Sequence, residues 1–130
     1  MAAAVLVDST YYIWHQRRDL DPFVALNATP GEHEIIMCGM VMFEVLRGAQ
    51  GGRILQHYRA AFALLINIPT TNAFWERAAQ IACGLDRRGT PIPPQDSLIA
   101  AHAMQAGAAV LTFDKHFSLV PGLTVLDSLE

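Results

Sequence analysis

Four carboxylates in this chain stand where an ordinary surface acid would not. Asp8 ends the apolar run AAVLVD, Glu44 lies inside VMFEVLRG, Asp96 opens PQDSLIAAHAMQAG, and Asp114 follows AVLTF in AVLTFDKHF. Asp8 and Asp114 each follow a run that reads as a buried strand, so each leaves the core at a strand's carboxyl end. Glu44 has Val41, Met42, Phe43, Val45 and Leu46 around it, and burying an unpaired carboxylate on so apolar a helix is costly. At about 100° per residue, Asp96 shares a helix face with the small residues Ala100 and Ala103, and a strand can approach such a face closely. That acid is expected to point inward over a sheet.

Each acid also has a plainer use. Asp114 suits a turn, Glu44 could pair with Arg47 one turn on, and Asp96 would be stabilised by a helix amino terminus. Taken together they suggest other chemistry. Carboxylates about 4 Å apart repel by ~4 kcal/mol per pair at an effective dielectric near ~20, and a divalent cation removes that repulsion. Oxygen ligands suit Mg²⁺ or Mn²⁺ better than zinc. Such ions can orient a phosphodiester, activate water and neutralise the charge of an in-line displacement.

The elements that must position these acids alternate along the chain. AAVLVD is a strand covered on both faces, and Ser9 or Thr10 can cap a helix through YYIWHQRR. Asp21 and Pro22 start a short second helix, ATPGEH is loop, and residues 34–38 form a second strand. A helix through MVMFEVLRG ends at Gly48, another runs from Arg53 to about Leu65, and INIP is a weak third strand. Residues 72–88 are a long helix with Asn72 as cap and Gly89 as terminator; Pro94 and Gly107 bound a nearly all-apolar helix that belongs in the centre. AVLTF is the fourth strand and residues 124–126 a fifth. Strand–helix alternation implies an α/β fold: a central, mostly parallel sheet of four to five strands with helices on both faces, in a single domain over 1–130. In such sheets ligands sit at the carboxyl ends of strands, where strand order reverses.

Composition narrows the class. The chain has 130 residues, 52% of them hydrophobic, and a net charge of −3. That is enough for one dense core and an apolar patch to spare for a partner, while the charge argues against a phosphate-coated surface but allows a local basic rim. No run approaches the ~18 apolar residues of a membrane span, and MAAAVLVDST reads as a first strand, not a signal peptide. Cys38 and Cys83 are isolated and read as reduced core residues, pointing to the cytoplasm.

In VLVDST, FEVLRG, GTPIPPQDSLIAAHAMQAG and VLTFDKHF the chain resembles the PIN-domain ribonucleases of the VapC-like toxin group, nearly end to end and in the family's order. The resemblance implies a metal-dependent endoribonuclease, the toxin of a toxin–antitoxin pair, leaving the phosphate as a 5′-phosphate. It implies Asp8, Glu44, Asp96 and Asp114 as the catalytic acids, with Asp8, Asp96 and Asp114 as ligands of Mg²⁺ (or Mn²⁺) and Glu44 holding water. Ser9 and Thr112 would be supporting hydroxyls. An antitoxin tail, carrying an Arg, would fill the acidic groove, and the apolar surplus suggests a homodimer. The first motif reads Asp-Ser-Thr where Asp-Thr-Ser is commoner, and either order can cap a helix.

The remaining polar residues read more plainly. Arg47 and Lys115 are candidate contacts to an RNA backbone. His116 reads as a turn residue packed beside Phe117, and His102 as a satisfied interior or interface histidine. Trp14, Trp75 and Phe74 fall at helical positions and read as core or subunit contacts in preference to base-stacking platforms. Two rival readings remain. A phosphoryl-accepting receiver needs adjacent acids after the first strand, where Ser9 follows Asp8, and an Asp after the third, where the chain has INIPTTN. A non-catalytic RNA- or protein-binding module on the same fold would gain neither stability nor cleavage from Mg²⁺.

Overall fold

The computed structural model describes residues 3–28 and 32–129. The middle of the ATPGEH loop and the chain ends Met1, Ala2 and Glu130 lie outside them. Five strands, β1 (Ala3–Val7), β2 (His33–Cys38), β3 (Ile66–Ile68), β4 (Ala109–Leu111) and β5 (Val125–Leu126), pair in the order β3-β2-β1-β4-β5. Every pairing is parallel. Val5, Leu6 and Val7 are each 1% exposed or less. Because successive strand residues face opposite ways, both faces of β1 are covered.

Among the described residues six α-helices lie between the strands: α1 (Ser9–Gln16), α2 (Pro22–Leu26), α3 (Gly39–Gly48), α4 (Gly52–Ala63), α5 (Asn72–Arg87) and α6 (Pro94–Gln105). The chain steps outward from β1 through β2 to β3, then returns past β1 to β4 and β5. Right-handed crossovers put helices made on the outward run on one face and those made on the return on the other. α1 rests on α2 and α3, α5 rests on α6, and α3 also touches α6. Strand order therefore reverses between β1 and β4. The crevice beyond their carboxyl ends is where such a fold places a site.

α6 is the most enclosed helix, with every residue from Asp96 to Ala103 buried. Pro94 supplies a preset first turn, and Gly107 at φ +65° ends the helix in a conformation that side chains resist. His102 is buried as expected: its Nδ1 lies 2.9 Å from the Leu98 carbonyl and its Nε2 3.0 Å from Thr70 Oγ1.

Several expectations need correction. The cap of α1 is Asp8, not Ser9 or Thr10; its carboxylate accepts the Thr10 N–H. The cap position of α5 is Thr71, one residue before Asn72, without a side-chain bond. β4 stops at Leu111, because the N–H groups of Phe113 and Asp114 turn away to side-chain hydroxyls. Cys83 is exposed on α5, whereas Cys38 is buried. Trp14 and Trp75 are exposed too, so neither belongs to the core.

Candidate active site

The β1 exit is built around one carboxylate oxygen. Thr10 Oγ1 donates to Asp8 Oδ2 at 2.7 Å, and Thr112 Oγ1 donates to the same oxygen at 2.8 Å. Each hydroxyl has a single proton to give, so in this arrangement the 3.1 Å approach between them is a contact, not a third bond. Their lone pairs are used as well. Thr10 Oγ1 accepts the Phe113 N–H at 3.1 Å, and Thr112 Oγ1 accepts the Asp114 N–H at 2.9 Å. Together with the Asp8 N–H bond to the Leu111 carbonyl at 2.9 Å, this clamp joins the ends of β1 and β4. Asp8, Thr112 and Asp96 are all buried.

Ser9, next in line, reaches across to α3 and donates to Glu44 Oε1 at 3.3 Å. Glu44 is half-buried, and burial followed by the nearby Asp8 charge raises its pKa; the Ser9 bond and Arg47 oppose the rise. Its alternative use as an ion-pair partner is not what forms. Among the described residues no ion pair joins Glu44 to Arg47, whose guanidinium instead lies 5.7 Å from the Phe43 ring centroid.

On the other side of the crevice, Asp96 and Asp114 meet at His116. The imidazole Nδ1 lies 3.2 Å from Asp96 Oδ2 and 3.1 Å from Asp114 Oδ1. Asp114 also caps the short 3-10 helix Lys115–Leu119, accepting the His116 N–H at 2.9 Å. Burial, then repulsion from Asp114 and Asp8, pushes the Asp96 carboxyl up to about 6, against the opposing pull of His116. Among the described residues His116 is the only basic group paired with either acid. Donor atoms of Asp96, Asp114 and His116 fall within 4.8 Å of one another, a spacing a metal ion could span. The donor set is hard and oxygen-rich, and its acids are short of positive charge. A divalent cation fits both features.

Of the residues singled out in the sequence, Asp96 and Asp114 are brought into one cluster. Asp8 acts electrostatically on both Asp96 and Glu44. Ser9 and Thr112 each hold one of the acids, while Arg47 and Lys115 stay exposed at the rim. An open depression of about 600 Å³ adjoins Asp114, Lys115 and Ser118. The sequence reading missed Thr10 as part of the site and placed His116 beside Phe117 instead of between two carboxylates. The Asp114–His116 spacing was the available signal, because a cap residue draws the second residue after it back toward its own carboxylate.

The clamp makes a stability prediction. Thr112→Val keeps the shape but removes both hydroxyl bonds, and should cost about 1–3 kcal/mol in denaturant unfolding. Thr112→Ser keeps the hydroxyl and should lose only the buried methyl, about 1 kcal/mol. Should the Val protein prove as stable as the Ser protein, the clamp does not hold the strand ends together.

Comparisons with known proteins bear on the fold and the family. The PIN domain family model matches residues 5–123. A stretch of 49 residues is 41% identical to the tRNA(fMet)-specific endonuclease VapC of Salmonella typhimurium, covering 37% of this chain and 37% of that protein. Among solved structures, a chain of the DNA-bound VapBC of Salmonella typhimurium superposes with a TM-score of 0.79 at 22% identity, over 96% of this chain and 97% of that one. A chain of the promoter-DNA-bound VapBC2 of Rickettsia felis gives 0.78 at 19% identity, over 94% and 96%. At those identities the structures speak for the fold, and the family match covers most of the sequence as well. The chain belongs to the PIN-domain family.

Proposed function

We propose that this PIN domain, taken over residues 1–130, is a divalent-metal-dependent endoribonuclease and the toxin of a toxin–antitoxin pair. The observation that carries the reading is the meeting of Asp96 and Asp114 at His116, with Asp8 close enough to raise the pKa of both Asp96 and Glu44 around the same crevice. A Salmonella typhimurium relative is a tRNA(fMet)-specific endonuclease, and the structural neighbour VapC20 of Mycobacterium tuberculosis cleaves the sarcin–ricin loop, which supports RNA as substrate.

Asp8, Asp96 and Asp114 would hold Mg²⁺ or Mn²⁺, with His116 at hand beside the last two. The cation supplies charge neutralisation at the phosphate and a more acidic water. The chain's own residues do the rest. The Thr10 and Thr112 hydroxyls fix the Asp8 carboxylate before substrate arrives, so no reorganisation is needed during reaction. Glu44, more basic than an ordinary glutamate and steadied by Ser9, accepts a proton as water attacks phosphorus. The water oxygen bonds to phosphorus as the P–O3′ bond breaks, and the 3′ oxygen takes a proton from solvent. One product then carries a 5′-phosphate and the other a 3′-hydroxyl. Arg47 and Lys115 at the rim would contact flanking phosphates. An antitoxin tail whose Arg enters the crevice would silence the site, and the toxin would act as a homodimer in the cytoplasm. No described helix is long and apolar enough to cross a membrane.

Incubating the purified protein with defined single-stranded RNAs in Mg²⁺, Mn²⁺ or chelator, then mapping the ends, tests this. Metal-dependent cuts with the ends above are expected. Chelator-resistant cleavage that leaves cyclic phosphates would remove the mechanism, and no cleavage in either metal would favour a non-catalytic binding module. The receiver reading has no residue to rest on: β3 lies at the sheet edge and runs into Pro69 without an acid.

A further inference from the structure

Beside the acids lies an aromatic surface that core packing does not account for. Trp14 on α1 and Phe113 just past β4 are 37% and 41% exposed, yet their rings meet at 5.5 Å between centroids, tilted by 60°. Phe113 leans on the buried Tyr11 ring at 5.3 Å, and Tyr11 is backed by His15 at 4.5 Å. Its backbone is fixed as well, through the N–H bond to Thr10 Oγ1. Arg18 lies over the Trp14 ring, 4.1 Å from the centroid, and donates to the Trp14 carbonyl at 3.0 Å.

The two sets of residues are continuous. Thr112 and Asp114 turn toward the acids, while Phe113 between them turns toward α1. The Cα atoms of Phe113 and of Asp114, one of the clustered acids, are therefore about 3.8 Å apart. In a nucleotide chain, base and phosphate are joined through the sugar, so a phosphate at Asp114 leaves a neighbouring base within reach of Phe113.

We propose that Phe113 forms a stacking ledge for one unpaired nucleobase flanking the scissile phosphate, with the tilted Trp14 ring as its side wall and Arg18, whose guanidinium covers one face of Trp14, reaching the adjoining phosphate. This rests on the endoribonuclease reading above and adds to it that the substrate is bound unpaired at that nucleotide. Every base has a π-face, so the ledge contributes affinity with little base preference. Both rings are already held by protein contacts, so little ordering opposes binding. Arg18 brings a cation to the rim of a site whose acids repel the rest of the RNA backbone.

Steady-state cleavage of a mapped single-stranded RNA tests the ledge, using a series of substrates with one abasic nucleotide at successive positions around the cut. In the wild-type protein one abasic position should raise KM by about 5- to 150-fold while kcat changes little. Phe113→Leu and Trp14→Leu should raise KM for intact RNA on the same scale, and in those variants the critical abasic substitution should add nothing further. Phe113→Tyr should behave as wild type. If wild-type protein cleaves RNA but no abasic position changes KM, the ledge proposal is wrong and the nuclease reading stands. Leu variants that keep their RNA KM but escape inhibition by an antitoxin would mark the ledge as a protein contact, and would equally overturn the proposal. If the wild-type protein cuts no RNA in Mg²⁺ or Mn²⁺, the endoribonuclease reading itself fails and takes the ledge with it.

Discussion

Asp96→Asn is expected to do two opposite things: lower RNA cleavage by roughly 10³-fold or more and stabilise the metal-free protein at neutral pH. Both follow from where Asp96 sits. The side chain is buried at the head of α6 and faces Asp114 and Asp8, and burial, then their repulsion, pushes its carboxyl up to about 6 from the ordinary 3.8. The folded protein thus binds this proton more tightly than the unfolded chain does. Below the ordinary value the proton is on in both states, and the fold keeps the full benefit. As pH rises through about 6 that contribution is lost, by roughly 3 kcal/mol at the upper end. Asn carries no charge to repel, so in chelator the variant and wild type should unfold alike near pH 4. The variant should lead by that margin near pH 7.5. A group that weakens the fold in its working state marks a functional site better than any stability gain could. Undiminished cleavage by the Asn protein would remove Asp96 from the mechanism. Equal stability at both pH values would mean that it is not crowded by other acids.

Adding the cation should reverse the same penalty, which gives the second large effect. At free Mg²⁺ or Mn²⁺ about 100-fold above its dissociation constant, the protein should gain ~2.7 kcal/mol, roughly 10 °C in Tm for a domain of this size. The gain should be pH-dependent. Near pH 5 most Asp96 carboxyls hold a proton that the cation must displace, so the apparent affinity weakens. Near pH 7.5 it does not. Thermal melts with metal and with chelator at the two pH values measure this directly, and Asp8→Asn or Asp96→Asn should flatten the response. A Tm that ignores both cations at pH 7.5 would leave the crowded acids without the partner proposed for them.

What could be read from the sequence was whatever depends on local pattern. The strands around Val5–Val7 and Ile36–Cys38 are continuous apolar runs because both sheet faces are covered, and α6 is apolar all round because it is enclosed. The four acids stood out because each breaks such a run. Less legible were features set by side-chain traffic between distant segments. Asp8 caps α1 while two threonines grip it, and one of them, Thr112, lies 104 residues further on. β4 ends early for the same reason: past Thr112, whose amide still reaches Leu126 of β5, the Phe113 and Asp114 amides answer to hydroxyls instead of a strand. His116 looked like a turn residue because nothing local reveals that Asp96, 20 residues back, lies opposite. Helical spacing suggested that Trp14 was core or a subunit contact; spacing alone cannot show that the face it occupies opens beside the crevice. Cys83 was misjudged similarly, as α5 presents that position to solvent.

Acids from separated segments are expected to share one cation in the crevice between β1 and β4. Crystals soaked in Mn²⁺ and measured for anomalous scattering test it most directly. A peak bounded by Asp8, Asp96 and Asp114 should appear, and should vanish in Asp96→Asn crystals. A fully occupied Mn²⁺ elsewhere, with the crevice bare and the carboxylates still gathered around His116, would contradict it.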